Sequence, residues 1–142
     1  MLGGASQTSS LGWGFDGLSG RASRADVAHH DRALAGLRAR LVACGKPVVA
    51  LLTGEVAPSA VEIALCADLA LVSSEAVVTP LPVEIGLLPP ADTLERLAAR
   101  TGQTQLSRLV TPLSASEALA RALGDGVGRA SALDELARAM LD

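Results

Sequence analysis

The stretch "KPVVALLTGEVAPSAVEIALCADLALVS", Lys46 to Ser73, constrains the fold more than any other. Lys46-Pro47 opens a continuous apolar run, "VVALL", too short to span a membrane and too uniform to be a half-exposed strand. Such a run fits a strand buried on both faces, as in a parallel sheet covered by helices. A glycine-containing turn follows, and Pro58 suits the first turn of a helix reaching about Ala67. "DLALVS" then reads as a second buried strand, and "AVVTP" as a short third. Strand, helix and strand in this order make the chain α/β.

The remaining elements follow from periodicity and punctuation. Arg24 to Cys44 reads as a helix, with Val27, Leu34, Leu37, Leu41 and Val42 inward and Asp26, Asp31, Arg38 and Arg40 on the other face. Asp92 or Thr93 starts a helix closed by Gly102, and "TQLSRLVT" adds a turn or two. "SASEALARALG" carries the capping-box pattern at Ser114 and Glu117, with a stop expected at Gly124. "SALDELARAML" is the last helix. Residues 1–22 are rich in Gly and Ser and read as loop, apart from a stub of strand at Met1–Gly3. No repeat or boundary divides the 142 residues, so one domain is expected over 1–142.

Composition narrows the function classes. With one Trp, one Phe and no Tyr, the core must be built from Ala, Leu and Val, and self-association is a natural source of further burial. A net charge of −3 with scattered arginines argues against nucleic acid as a partner. No run reaches the roughly 20 apolar residues of a membrane span, and the N-terminus lacks a signal-peptide pattern, so a cytoplasmic protein is expected. Cys44 and Cys66 have no metal-type spacing and read as buried free thiols. His29 and His30 sit among charges on an amphipathic helix and lack a third ligand, so no metal site is expected.

The segment around Pro58 is the first candidate for chemistry. A strand feeding a helix through a tight turn leaves backbone N–H groups directed outward, where an oxyanion can bind. Ser59 lies in the first turn, and Glu62 three residues on shares its face. The plainer possibility is that Ser59 only caps the helix and Glu62 only complements its dipole.

Lys46 to Gly102 as a whole resembles the central segment of the enoyl-CoA hydratase/isomerase (crotonase) family. The match runs through "KPVVALLTGEVAPSAVEIALCADLALV", "PVEIGLLPP" and "TLERL", and continues loosely in "VTPLSASEALARALGDGV". Upstream, "GWGFDGL" resembles the family's A-G-x-D-L loop. The resemblance implies a crotonase-like fold of the Clp-protease/crotonase kind, a superhelix of repeated β-β-α turns. The family's opening strand–helix–strand and its C-terminal helices have no counterpart here, which reads as a core shortened at both ends.

The same resemblance implies a site. Backbone N–H groups of Phe15 and Ser59 would form an oxyanion hole for an acyl thioester carried by coenzyme A or an acyl-carrier protein, with no other cofactor. Glu62 falls on the family's first catalytic glutamate. The second falls on Pro82, which cannot move protons, and Glu84 two residues on is the replacement candidate. The family's glycine triplet has become Pro58-Ser59-Ala60, and its later glycine-rich step Pro90-Ala91-Asp92-Thr93. Hydratase, isomerase or decarboxylase chemistry is expected, in a homo- or hetero-oligomer of crotonase-fold subunits. A non-catalytic subunit partnering a homologue is the alternative. A third reading comes from "GEVAPSAVEIA", which is similar to the nucleophile motif of Clp-type proteases and signal-peptide peptidases, with Ser59 as nucleophile. That reading needs a base, for which His29, His30 and Lys46 are the candidates.

Overall fold

The computed structural model describes residues 2–3, 8–9, 24–82, 87–102 and 109–141. Its elements, in chain order, are β1 (Leu2–Gly3), β2 (Thr8–Ser9), α1 (Arg24–Ala43), β3 (Val49–Leu52), β4 (Glu55–Val56), α2 (Pro58–Ala64), β5 (Leu69–Ser73), β6 (Val77–Val78), α3 (Ala91–Thr101), β7 (Leu113–Ser114), α4 (Ala115–Ala120), β8 (Gly126–Gly128) and α5 (Ala130–Leu141). The long strand of each turn joins one sheet, in the order β1-β3-β5-β8, and every pairing in it is parallel. The short strand joins a second sheet, β2-β4-β6-β7, whose last pairing alone is antiparallel. The chain thus climbs in strand–strand–helix turns, as the resemblance implied, although no sequence repeat marks them.

Burial explains the uniform apolar strands. Val49, Leu51 and Leu71 face α5, where Leu133 and Ala137 cover them. Their neighbours Ala50, Leu52, Ala70 and Val72 face the main core, with Ala60, Val61 and Ala64 of α2, Leu97 of α3 and Leu113. Both faces of the first sheet are therefore closed, which selects apolar residues along β3 and β5 up to the buried Ser73 at the end of β5. The core is aliphatic throughout, so small side chains set its close spacing.

Successive turns are joined by the same backbone device. The Asp68 carboxylate accepts from Val48 N–H at 2.8 Å, and Asp68 N–H donates to the Val48 carbonyl at 2.9 Å. One turn later Asp125 does the same for Ala70, at 2.7 Å in both directions. Each aspartate gives a partner to a buried amide at the start of an earlier strand, Val48 just before β3 and Ala70 at the second residue of β5. Asp68→Ala should lower the unfolding free energy by about 1–2 kcal/mol in a denaturant titration, because it leaves that amide without a partner.

The helix ends separate two signals. Ser114 caps α4, with its hydroxyl accepting from Glu117 N–H at 3.4 Å while the Glu117 carboxylate accepts from Ser114 N–H at 2.9 Å. The Ser114 N–H, together with the Ser114 hydroxyl donating to the same carboxylate oxygen at 2.7 Å, holds the Glu117 carboxyl below its ordinary range. Ser114→Ala should cost about 1 kcal/mol, and thermal melts of the two proteins measure it. The left-handed residue that ends α4 is Ala122 at φ 56°, not Gly124. Gly124 is required for space instead, since a Cβ there would lie 2.5 Å from Cγ2 of the fully buried Val72. Gly124→Ala should therefore destabilise by about 1–3 kcal/mol, again by thermal melt.

Four short strands depart from the expected elements. β2 lies in the segment read as loop, and β4 lies in the segment read as a turn. β7 precedes the capping box, and β8 is Gly-Val-Gly. Glycine has low strand propensity, yet a Cβ at Gly128 would stand 3.1 Å from Leu133 and one at Gly126 would stand 3.3 Å from Leu71. Close packing, not propensity, selects those residues. Among the described residues no helix is long and apolar enough to cross a membrane.

Candidate functional site

After β4 the chain enters α2 through Ala57, in extended conformation at φ −71° and ψ 158°, with Pro58 as the first helical residue. The amides of that first turn can be counted. Proline has none. Ala60 and Val61 N–H both donate to the Ala57 carbonyl, at 3.0 and 3.2 Å. Ser59 N–H is left, and it makes no hydrogen bond among the described residues. Ser59 is only 3% exposed, and among the described residues its hydroxyl is also buried without a partner. Ser59 is therefore not the helix cap. That position belongs to Ala57, whose side chain cannot accept.

One turn further, Glu62 is buried and paired. Arg38 of α1 donates through Nη1 to Glu62 Oε2 at 2.8 Å. The same guanidinium donates through Nε and Nη2 to the two carboxylate oxygens of Asp92, each at 3.3 Å. Arg38 is 4% exposed, so one buried cation links α1, α2 and α3. Burial pushes the Glu62 carboxyl above its ordinary range. Arg38 opposes that push, and the negative charges of Asp31 and Asp92 add to it.

Ser59, Glu62 and Pro82 line one pocket, together with Asp31, Leu34 and Leu87. Its volume of about 40 Å³ is close to that of a single water. The structure thus brings together the expected oxyanion amide, the first glutamate and the proline at the second glutamate's place. Phe15 and Glu84 lie outside the described residues. No histidine or lysine lines the pocket. Lys46 instead lines a separate groove of about 640 Å³ with Cys66 and Arg96. His29 is exposed and His30 half-buried on α1. Among the described residues, no cluster of His, Cys, Asp or Glu could hold a metal.

Two expectations need correction. The cysteines are free but not buried: Cys44 is exposed in the turn after α1, and Cys66 is half-buried beyond the end of α2. Burial raises the Cys66 thiol above its ordinary range, which makes it a poor thiolate. Arg38, assigned above to the outer face of its helix, is instead one of the most buried residues of α1. A signal was present: Leu34, Arg38 and Leu41 follow one another at four and three, so Arg38 lies within the apolar stripe. Charge alone had placed it outside, while Leu37 and Val42, read as inward, are 36% and 53% exposed.

Comparison with known proteins agrees with this geometry. The profile of the enoyl-CoA hydratase/isomerase family matches residues 1–141. No curated protein matches by sequence. Among solved structures, an enoyl-CoA hydratase from Thermoplasma volcanium GSS1 superposes with a TM-score of 0.81 at 23% identity, covering 96% of this chain and 56% of its own. An enoyl-CoA hydratase/carnithine racemase from Magnetospirillum magneticum gives 0.74 at 21% identity, covering 89% and 49%. A methylmalonyl-CoA decarboxylase gives 0.69 at 22% identity, covering 76% and 44%. The chain spans about half the length of the structures it matches.

Proposed function

Because the chain belongs to the enoyl-CoA hydratase/isomerase family, we propose that it acts on an acyl thioester, carried by coenzyme A or an acyl-carrier protein, by stabilising an enolate. The observation that carries this reading is the buried Ser59 N–H, uncommitted among the described residues and sharing a pocket with Glu62. A fixed N–H in a buried site binds a developing thioester oxyanion without reorganising, and Phe15 N–H is the proposed second donor. Hydration of a double bond uses two carboxylates, one to activate water and one to protonate carbon. Pro82 supplies neither, so isomerisation by Glu62 alone, or decarboxylation driven by the oxyanion hole, fits these residues better than hydration; Glu84 remains the candidate for a second carboxylate.

The test is turnover of a 3-enoyl-CoA and of a malonyl-type CoA thioester, beside thermal shift with acyl-CoA. Either reaction, together with stabilisation by ligand, supports the reading. Neither turnover nor binding retires it. Ser59→Ala should leave turnover unchanged, since only the backbone N–H is used, whereas loss of activity with that variant would favour the serine-hydrolase reading. No histidine or lysine stands along the described lining of the pocket to activate the Ser59 hydroxyl, which speaks against that reading already.

One observation favours a second function. The pocket holds about one water and Glu62 is already paired, which suits a non-catalytic subunit partnering a crotonase-fold homologue. Size-exclusion and co-purification with such a homologue test it, and a lone monomer that turns over thioester overturns it.

A further inference from the structure

The Arg38–Glu62–Asp92 cluster is not explained by the enolate reading, which asks only for a carboxylate at Glu62. A guanidinium can solvate itself at the surface at little cost, yet this one is 4% exposed and spends its donors on two carboxylates from two other helices. The two acidic partners differ. Asp92 is about half exposed, whereas Glu62 is buried and faces the pocket.

We propose that Arg38 is a positioning residue that holds Glu62 as an oriented carboxylate, so that Glu62 meets the thioester as a base rather than as an acid. This rests on the enolate reading for its chemistry but not for its test. In the step concerned, Glu62 takes a proton from the carbon next to the thioester carbonyl. The C–H bond breaks, an O–H bond forms on Glu62, and the electron pair passes into the carbonyl to give the enolate held by Ser59 N–H. Glu62 then returns the proton to carbon. Arg38 keeps its N–H donated to Glu62 throughout and never transfers it, because its own proton is far too tightly held.

The groups that act most on Glu62 come from the two helices packed against it, Arg38 and Asp31 from α1 and Asp92 and Thr93 from α3. The Cys66 thiol follows Glu62's own helix, and Arg96 of α3 bears on that thiol together with Arg38. Arg38 is the cation that pairs with Glu62 directly. Asp31 and Asp92 both disfavour the carboxylate. Removing Arg38 must therefore move the Glu62 titration up, and neutralising Asp92 must move it down.

The experiment is a carbon-13 NMR pH titration of the side-chain carboxyls, with Glu62 assigned by the signal missing in Glu62→Gln. Arg38→Met should raise the Glu62 midpoint by about one pH unit or more, a tenfold gain in proton affinity. Arg38→Lys should restore most of that change. Should Arg38→Met not fold, Asp92→Asn alters an exposed group and should lower the midpoint. An unmoved midpoint in both Arg38→Met and Asp92→Asn, or a downward shift in Arg38→Met, overturns the assignment. Where isomerase turnover is measured, its rate should rise with pH through the Glu62 midpoint, and a rate that falls there makes Glu62 an acid and the proposal wrong. A shifted midpoint without any turnover retires the enolate reading and leaves Arg38's control of Glu62 standing.

Discussion

Arg38→Met should lower the unfolding free energy by about 3–5 kcal/mol at neutral pH, the usual cost of leaving one member of a buried ion pair alone. Methionine fills much of the volume of the arginine stem, so the loss is chiefly electrostatic and not a cavity. The deficit should also depend on pH in a definite direction. The folded-state pKa of Glu62 lies above its ordinary value of 4.5. The folded state therefore binds more protons than the unfolded state between those two values, and this group's contribution to stability is full below 4.5 and declines as pH rises through the folded value. Without Arg38 the folded value rises further, so the decline continues to higher pH and the mutant falls progressively behind wild type. Urea titrations of both proteins at pH 4, 6 and 8 read this directly. A deficit that is constant across the three, or under about 1 kcal/mol at pH 8, would mean that the buried pair is not what ties α1 to α2 and α3.

How much of this was legible in the residues follows from what each signal measures. Val49–Leu52 and Leu69–Val72 were readable because burial on two faces selects an apolar run. Pro58 and Ser114 were readable because the first turn of a helix has few chemical solutions. The two-residue strands β4 and β7 were not, since two residues carry no period and their pairing partners are distant in sequence. At the site, the family resemblance put Ser59, Glu62 and Pro82 at corresponding positions, and the fold gathers all three around one pocket. Arg38 escaped because its partners are 24 and 54 residues away, and a charged side chain on an amphipathic helix is ordinarily solvated. The Asp68 and Asp125 strand clamps escaped for the same reason: their partners are 20 and 55 residues away.

Glu62→Gln should lower isomerase turnover by about 10²–10⁴-fold, the usual contribution of a positioned proton carrier, while changing acyl-CoA affinity little. Glutamine keeps a carbonyl oxygen for Arg38 and nearly the same shape, so α2 stays docked and the Ser59 N–H stays in place. What disappears is the capacity to take and return a proton. A malonyl-type thioester makes the comparison decisive. Loss of carbon dioxide forms the enolate without any base, so that reaction needs the oxyanion hole and should be far less sensitive to Glu62→Gln. Parallel rates on the two substrates, with binding followed by thermal shift, separate the two parts of the site. Equal losses on both would assign Glu62 to substrate binding or to the shape of the pocket. A loss confined to the isomerase reaction assigns it to proton transfer. The variant should also lose the decline in stability with rising pH that an ionising Glu62 imposes, because the group responsible no longer titrates.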